Sequence, residues 1–278
     1  MATIQESLQS ASSALTAVSD TPLLDAEILL AHVLQTSRIT LRMAPAAVLS
    51  AHDLEQFTAL VSRRLKRVPI AYLTGRKEFW SLDLDVNEHT LVPRPETELL
   101  VETALALFDA GTTIKAADLG TGSGAIALAL ASERPHWRID AVDISQSALH
   151  IARNNAQRLG LANISFYLGS WFTALPAVGY DLVLANPPYI TEVEWPLYAE
   201  ALAGEPRLAL VSGDDGLEAL RHITGTARQY IRRGGYLICE HGVAQGAAVR
   251  ALLVVEGCKE VRTLNDLGGR ERITLGQF

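Results

Sequence analysis

The sequence predicts an α/β protein in which a small helical bundle precedes a doubly wound, mostly parallel sheet of seven strands. Two observations support this fold class. Beyond residue 113, short apolar runs alternate with longer amphipathic stretches, the order in which strands and helices follow one another in a parallel sheet. Before residue 77, apolar residues instead recur every three or four positions, which is typical of amphipathic helices. A chain of 278 residues is also long enough for two domains.

Residues 1–76 are predicted to form the helical bundle. A first helix begins near Ile4, where apolar residues start to recur at helical spacing. A second begins at Thr21-Pro22, because threonine can cap a helix and proline fits the first helical position. We expect a third helix to be capped by Asp53, whose carboxylate can accept a hydrogen bond from the first turn.

Residues 77–93 are predicted to be a β-hairpin that links the two domains. Apolar residues at alternating positions between Phe79 and Val86 predict its first strand, and Leu91-Val92 its second. The polar pair Asn87-Glu88 separates these two runs and is the expected turn.

The second domain, residues 94–278, opens at the segment Pro93–Glu98, whose prolines and acidic residues mark the start of a helix. Strands are predicted at residues 114–119, 139–142, 164–167, 182–185, 236–239, 261–264 and 272–275. Helices are predicted at residues 124–132, 148–159, 217–231 and 243–255. Since no helix separates the last two strands, we expect them to pair as an antiparallel hairpin.

Composition narrows the function classes. The formal net charge is −7, which argues against non-specific nucleic-acid binding because that affinity comes from neutralising phosphates. The two cysteines, Cys239 and Cys258, lie in no CxxC or Cys/His cluster, so no zinc or redox motif is visible. The amino terminus lacks the pattern of a signal peptide, and no apolar run approaches the roughly 18 residues of a membrane span. We therefore expect a cytoplasmic protein.

A glycine-rich loop, Asp118-Leu-Gly-Thr-Gly-Ser-Gly-Ala125, joins the first parallel strand to its helix. Its glycines allow a tight turn and a close approach of the backbone to a ligand at the helix N-terminus. Asp143 ends the next strand, where a carboxylate can accept hydrogen bonds from both hydroxyls of a ribose. These features predict a nucleotide site. At this point the ligand is open, because the loop also satisfies a loose dinucleotide fingerprint and would fit a nicotinamide-dependent dehydrogenase.

The tetrapeptide Asn186-Pro187-Pro188-Tyr189 follows an apolar run that predicts a buried strand. Proline cannot continue a central strand, so the pair ends it in a stiff elbow at the carboxyl edge of the sheet, where open α/β sheets bind ligands. Asn186 offers both a donor and an acceptor, and Tyr189 offers a flat aromatic face. Such an elbow suits a planar amide or amino group that must be held still.

The glycine loop, Asp143 and the elbow, taken in this order, resemble the class I S-adenosylmethionine-dependent methyltransferases that modify planar nitrogens. The chain from residue 69 onward resembles more specifically the HemK/PrmC family of release factor glutamine methyltransferases. The stretches that match the family begin at Pro69-Ile-Ala-Tyr-Leu-Thr-Gly75 and include Pro93–Glu98, Gly120–Ile126, Trp171-Phe172, Asn186–Ile190, Glu240-His-Gly242 and Asp266–Arg272.

The resemblance implies a methyl transfer from S-adenosyl-L-methionine to the glutamine amide of the Gly-Gly-Gln motif in peptide chain release factors. It implies that Asn186 and the Pro187 carbonyl hold the substrate amide, with Pro188 and Tyr189 packed against it. The residues that it implies for the cofactor are Gly120, Thr121, Gly122, Ser123, Gly124, Asp143, Trp171 and Asn186. Trp171 would lie near the adenine, but Ser170 stands where many such folds carry an acidic residue. No metal is implied.

Further expectations concern partners and supporting residues. The helical domain, residues 1–76, is expected to recognise the release factor, and the enzyme is expected to be a monomer that neither binds nucleic acid stably nor associates with membranes. His241 is expected to be a structural hydrogen-bonding group, and Glu240 and Arg94 to support the site from behind. Two other functions stay open at this point: an amino-group methyltransferase acting on DNA adenine or ribosomal RNA, and a non-catalytic cofactor-binding scaffold.

Overall fold

The computed structural model of this chain describes residues 2–176 and 179–278. The chain forms two compact units. The first comprises the residues up to Arg76 together with the segment Tyr198–Gly204, and the second comprises Lys77–Leu197 and Glu205–Phe278. In the described ranges, no helix combines the length and the apolar character that crossing a membrane requires.

The first unit is helical, and its apolar faces enclose a core in which Leu15, Leu29 and Leu30 are fully buried. Its helices are α1 (Ile4–Leu15), α2 (Pro22–Val33), α3 (Arg38–Met43), α4 (Ala51–Leu65) and α5 (Ile70–Thr74). The prediction that Asp53 caps the third predicted helix is wrong: Ser50 is the N-cap, and its Oγ accepts the backbone N–H of Asp53 at 3.1 Å. The sequence carries no periodic signal for α3 and α5 because each has fewer than two turns.

A hairpin forms, but with other strands and another turn than predicted: the run 79–86, predicted as one strand, contains the turn, and Leu91-Val92 is not a strand. Its strands are β1 (Arg76–Phe79) and β2 (Leu82–Asp85), so the turn lies at Trp80-Ser81 and the expected turn at Asn87-Glu88 is wrong. Both turn residues have positive φ, 53° and 58°, which neither residue type favours. Side chains compensate, because the backbone N–H of Trp80 donates to Glu98 Oε1 at 2.9 Å and that of Ser81 to Glu78 Oε1 at 2.6 Å.

Among the described residues, seven strands of the second unit form one sheet in the order β5-β4-β3-β6-β7-β9-β8. They are β3 (Lys115–Leu119), β4 (Arg138–Asp143), β5 (Ile164–Leu168), β6 (Tyr180–Ala185), β7 (Ile231–Glu240), β8 (Lys259–Asn265) and β9 (Glu271–Gln277). The first five run parallel, and β9 pairs antiparallel with both β7 and β8. The predicted fold class, with its antiparallel pair at the end, is confirmed.

The helices that follow the hairpin are α6 (Glu98–Ala106), α7 (Ala125–Glu133), α8 (Gln146–Arg158), α9 (Trp195–Tyr198), α10 (Glu218–Ala227) and α11 (Gly246–Val255), and all but the last residue of α9 belong to the second unit. Short 3-10 helices lie at Pro95–Thr97 and Arg207–Ala209. The helix predicted over 217–231 is too long, because the chain leaves α10 at Ala227 and starts β7 at Ile231.

The order of the strands fixes where the site lies. β3 pairs with β4 on one side and with β6 on the other, so the chain reverses its winding direction at β3. In an open α/β sheet the crevice at such a switch point is where ligands bind. The carboxyl ends of these three strands bring together Leu119 of the glycine loop, Asp143, and Ala185, which directly precedes the elbow.

Candidate active site

A cavity of about 780 Å³ opens at this carboxyl edge, within the second unit. Of the predicted site residues, it is lined by Gly120, Thr121, Gly122, Ser123, Asp143, Trp171, Asn186 and Pro188. Gly124 packs behind the loop, where a Cβ would be 2.8 Å from Leu128 Cδ1. Pro187 is buried and Tyr189 is half-buried beside Pro188. The fold therefore gathers the glycine loop, the acidic strand end and the elbow around one cavity.

The glycine loop depends on backbone conformations that other residues rarely adopt. The φ angles of Gly120, Gly122 and Gly124 are 77°, 57° and 88°. Gly120 also leaves room for Trp171, since a Cβ there would be 3.3 Å from the indole ring. The backbone N–H of Gly120 and that of Thr121 both donate to the carbonyl of Val142 at 2.9 Å, which ties the loop to the end of β4.

Asp143 holds the other side of the loop. Its Oδ2 accepts the backbone N–H of Gly122 at 2.8 Å, and its Oδ1 accepts that of Ser145 at 2.8 Å. Burial raises the pKa of Asp143, and these backbone donors oppose the rise. A carboxylate has more acceptor positions than these backbone N–H groups occupy, so Asp143 can orient the loop and also accept a hydrogen bond from a ligand in the cavity.

Asp118 is fully buried at the start of the loop, where its Oδ2 accepts the Thr121 hydroxyl at 2.6 Å. Burial raises the pKa of Asp118 to about 7, while the hydrogen bond from Thr121 opposes that rise.

Apolar side chains line a further side of the cavity. Trp171 has a positive φ of 50° and packs its partly buried ring against Gly120. Ile144, next to Asp143, lines the same cavity and exposes 57% of its surface. Ser170 also lines the cavity. An exposed aliphatic side chain and an indole on one cavity suit the faces of a planar base.

The side chain of Asn186 is held from behind. Its Nδ2 donates to the hydroxyl oxygen of Thr97 at 3.1 Å, and the Thr97 hydroxyl donates to Glu240 Oε2 at 2.8 Å. Thr97 and Glu240 expose 4% and 1% of their surfaces, so the hydrogen bonds are screened from water. Burial raises the pKa of Glu240 to about 7, against the opposing effects of the Thr97 hydrogen bond and the nearby Arg272 cation.

The backbone of the elbow is braced from two sides. The N–H groups of Tyr189 and Ile190 both donate to the carbonyl of Leu210, at 3.1 and 2.8 Å. Gln245 donates from Nε2 to the Tyr189 carbonyl at 3.1 Å and accepts the Gly242 N–H on Oε1 at 2.8 Å. Burial raises the pKa of the Tyr189 phenol to about 12, so this ring stays neutral at physiological pH.

Two other residues singled out in the sequence have structural surroundings. Arg94 pairs with the buried Glu205, whose other oxygen accepts the Val92 N–H at 3.1 Å. His241 is fully buried, and its Nδ1–H donates to the Gly242 carbonyl at 2.8 Å because a carbonyl can only accept. Its Nε2 therefore accepts the hydroxyl of Thr274, also at 2.8 Å. Burial lowers the pKa of His241, and both ring nitrogens are engaged away from the cavity.

Comparison with known proteins agrees with this arrangement. Residues 6–75 match the family model of the PrmC N-terminal domain, and residues 95–213 match that of the methyltransferase small domain. The release factor glutamine methyltransferase of Coxiella burnetii is 46% identical over 277 residues, covering 100% of this chain and 99% of that protein. The chain belongs to the release factor glutamine methyltransferase family. The protein of that name from Escherichia coli K12 is 44% identical, covering 94% of each chain.

Solved structures are similar in fold. The crystal structure of a methyltransferase from Pyrococcus furiosus superposes with a TM-score of 0.54 at 16% identity, covering 70% of this chain and 88% of that one. The hMettl16 catalytic domain, in complex with MAT2A 3'UTR hairpin 1, superposes with a TM-score of 0.61 at 15% identity, covering 91% of each chain. At these identities the similarity shows that the folds are alike and says nothing about the substrate.

The cavity and its supports include four residues to which the sequence analysis assigns no role: Thr97, Ile144, Glu205 and Gln245. Thr97 belongs to the segment Pro93–Glu98, which matches the family, so the sequence drew attention to its position. Nothing in the sequence indicated that its hydroxyl oxygen accepts a hydrogen bond from Asn186. Ile144 follows directly on Asp143, and an apolar residue after an acidic strand end could have been noticed. Glu205 and Gln245 lie in no motif, and only the folded chain brings them to the elbow.

Proposed function

We propose that this chain transfers a methyl group from S-adenosyl-L-methionine to the side-chain amide nitrogen of the glutamine in the Gly-Gly-Gln motif of peptide chain release factors, and thereby tunes translation termination. The observation that carries the proposal is the position of Asn186 on the cavity that Gly120 and Asp143 also line. Membership of the release factor glutamine methyltransferase family supports the same substrate.

The residues of the cavity fit the cofactor. Its volume of about 780 Å³ lies in the range of small-molecule sites, roughly 300–1,000 Å³. The glycine loop would pass the methionine part, Asp143 would accept hydrogen bonds from the ribose hydroxyls, and Trp171 and Ile144 would cover the adenine. Ser170 offers the adenine a hydroxyl in place of a carboxylate. When bound, S-adenosyl-L-methionine supplies an electrophilic methyl group on a sulfonium centre.

The elbow would orient the substrate glutamine. A carboxamide nitrogen is a poor nucleophile because its lone pair is delocalised into the carbonyl. Asn186 Oδ1 and the Pro187 carbonyl would each accept one N–H of that amide, while Pro188 and Tyr189 would pack against its flat face. Two acceptors aimed at these protons stabilise the positive charge that grows on nitrogen during transfer. Holding the nitrogen in line can contribute several kcal/mol, up to ~7–11.

The Tyr189 phenol does not act as a base in this proposal. With its pKa raised to about 12, it stays protonated at neutral pH and serves to pack against the amide. After transfer, the extra proton of the methylated amide leaves to solvent, which needs no catalytic base. His241, whose two nitrogens are already engaged, accordingly has no part in the proposal.

We propose that the protein partner contacts both units. The helical domain, residues 1–76, would recognise the body of the release factor, and the linker over residues 77–93 would connect it to the methyltransferase domain, residues 94–278. We further propose that the enzyme acts as a cytoplasmic monomer and forms no stable complex with nucleic acid, in line with its net charge of −7.

The test is mass spectrometry of a purified release factor after incubation with the enzyme and S-adenosyl-L-methionine. The expected result is one added methyl group on the glutamine of the Gly-Gly-Gln tripeptide, and none on a release factor in which that glutamine is replaced by alanine. Parallel incubations contain DNA or ribosomal RNA with labelled cofactor. Label in a nucleobase amino group and none in the release factor would overturn the proposal in favour of the amino-group methyltransferase.

A further inference from the structure

The proposed function requires Asn186 to present its side-chain oxygen to the substrate as a hydrogen-bond acceptor. A carboxamide can also turn over and present its NH₂ group, which is a donor. The carboxamide of asparagine has an oxygen on one side and an NH₂ on the other, and the two differ little in shape. If the NH₂ faced the substrate, it would meet the N–H groups of the glutamine amide, donor against donor. The orientation of this one amide therefore decides whether the elbow can hold its substrate productively.

The residues behind Asn186 remove this ambiguity. An ionised Glu240 can only accept hydrogen bonds, and the hydroxyl of Thr97, 2.8 Å away, has a single proton to give. Once that proton points at Glu240, the Thr97 oxygen turns its lone pairs toward Asn186. Asn186 must then offer Nδ2 to Thr97, at 3.1 Å, and Oδ1 is left for the cavity.

We propose that Thr97 and Glu240 are positioning residues that set the orientation of the Asn186 carboxamide, with its oxygen toward the substrate. This inference rests on the proposed function, since it explains how Asn186 comes to serve as the acceptor for the amide that is methylated. Burial strengthens the effect, because Thr97 and Glu240 expose only 4% and 1% of their surfaces and water cannot substitute for either partner.

The direction of the hydrogen bonds depends on the charge of Glu240. A protonated Glu240 can donate to Thr97, whose own proton is then free to bond Asn186 Oδ1 and turn the amide over. Burial raises the pKa of Glu240 to about 7, so this change falls near neutrality. The charged or titratable groups that face Glu240 are Arg272 of β9, Arg94 and Glu96 of the segment before α6, and Tyr189 of the elbow.

The sign of the pH dependence follows. Above the pKa of Glu240 the carboxylate is ionised and the amide is oriented for the substrate; below it the orientation is lost. We therefore expect kcat with a release factor, at saturating cofactor, to rise with pH to a plateau with a midpoint near 7. Glu240→Gln can donate as well as accept at every pH, so it should lower the plateau about 10-fold and remove the dependence.

Thr97 offers the complementary test. Thr97→Val keeps the shape of the side chain but breaks both hydrogen bonds, and it should lower kcat about 10-fold without changing the Kd of the cofactor. Thr97→Ser restores the hydroxyl and should recover most of the rate. Matched controls are Thr103→Val, at a buried threonine of α6, and Glu271→Gln, at a carboxylate of β9 that pairs with Arg250.

A readout without substrate separates this inference from the proposed function. The side-chain ¹⁵N–¹H resonances of Asn186, assigned from their loss in Asn186→Ala, should titrate with a midpoint near 7 in the wild type and stay constant in Glu240→Gln. Should the wild type fail to methylate release factors while these resonances titrate, the proposed function falls and the positioning role stands. Resonances that do not titrate, or a Thr97→Val variant as fast as Thr97→Ser, would overturn the positioning role.

Discussion

The two sides of the cavity are built by different means. On the proposed cofactor side, the loop between β3 and α7 holds its shape through backbone angles that glycines adopt and through N–H groups that donate to Val142 and Asp143. On the proposed substrate side, the elbow after β6 is held by side chains that come from far along the chain, Thr97 and Gln245. The hydrogen bond between Gly122 and Asp143 joins residues 21 positions apart, whereas those that hold the elbow join residues 56 and 89 positions apart.

This difference teaches where each kind of residue acts. The glycine loop can be recognised from its own sequence, and we expect its residues to govern cofactor affinity. The elbow presents the Asn186 carboxamide and the Pro187 carbonyl, and the carboxamide is held by residues that lie far away in the chain. If the comparison is right, substitutions on the two sides should separate cleanly into effects on cofactor binding and effects on turnover.

The largest effect is expected at Asn186. Asn186→Ala removes one preorganised acceptor for the charge that develops on the substrate nitrogen, so kcat with a release factor should fall by about 10²–10³. The Kd of S-adenosyl-L-methionine, measured by calorimetry, should stay within a factor of about two. Asn154→Ala, at an exposed asparagine of α8, is the control. A comparable loss of cofactor affinity would show that Asn186 binds the cofactor, and would contradict the separation of the two sides.

The converse is expected at Asp143. Asp143→Asn removes the charge that accepts the Gly122 and Ser145 N–H groups and places an NH₂ against one of them. Losing hydrogen bonds to a charged group should weaken cofactor binding by about 10–100-fold, while kcat at saturating cofactor stays close to that of the wild type. Glu102→Gln, at an exposed position of α6, controls for the loss of a charge. A fall in kcat with an unchanged cofactor Kd would contradict the assignment.

The same contrast explains how much the sequence could predict. The alternation of apolar runs predicted the sheet, and the glycine loop with Asp143 and the elbow predicted which strand ends meet, because parallel strands place their carboxyl ends at one edge. The hairpin turn was misplaced because neither Trp80 nor Ser81 favours the positive φ that this turn requires, and the turn depends on Glu98 and Glu78.

Glu240 and Arg94 were expected to support the site, but the partners through which they act, Thr97 and Glu205, were out of reach of the sequence for a related reason. Hydrogen bonds between residues that lie far apart in the chain leave no periodicity or spacing. Thr97 and Glu240 join only because the segment before α6 packs against the end of β7. Glu205 is a single acidic residue in an irregular stretch, and its pairing with Arg94 depends on the fold.

A smaller effect is expected from the backbone of the cofactor loop. Gly122 has a φ of 57° but open space where a Cβ would go, so Gly122→Ala tests the conformation alone. Forcing an L-residue into this region costs about 1–2 kcal/mol, which should appear as lower stability to urea or as a cofactor affinity reduced roughly 10-fold. Gly111→Ala is the matched control, because Gly111 has equally open space without a positive φ. Equal behaviour of both variants would show that the loop does not need its left-handed turn.

The smallest effect, and the one that most sharpens the comparison, is expected at Gln245. Its amide bridges the Tyr189 carbonyl and the Gly242 N–H, so Gln245→Ala loosens the elbow without touching the cofactor loop. Losing about 1 kcal/mol of net hydrogen bonding should lower kcat/KM for the release factor about fivefold. Gln229→Ala, at an exposed glutamine after α10, should leave it unchanged. The Kd of the cofactor tests whether the elbow and the glycine loop act separately. If this Kd rises in Gln245→Ala by the same factor by which kcat/KM falls, loosening the elbow also disturbs cofactor binding, and the division between the two sides is wrong.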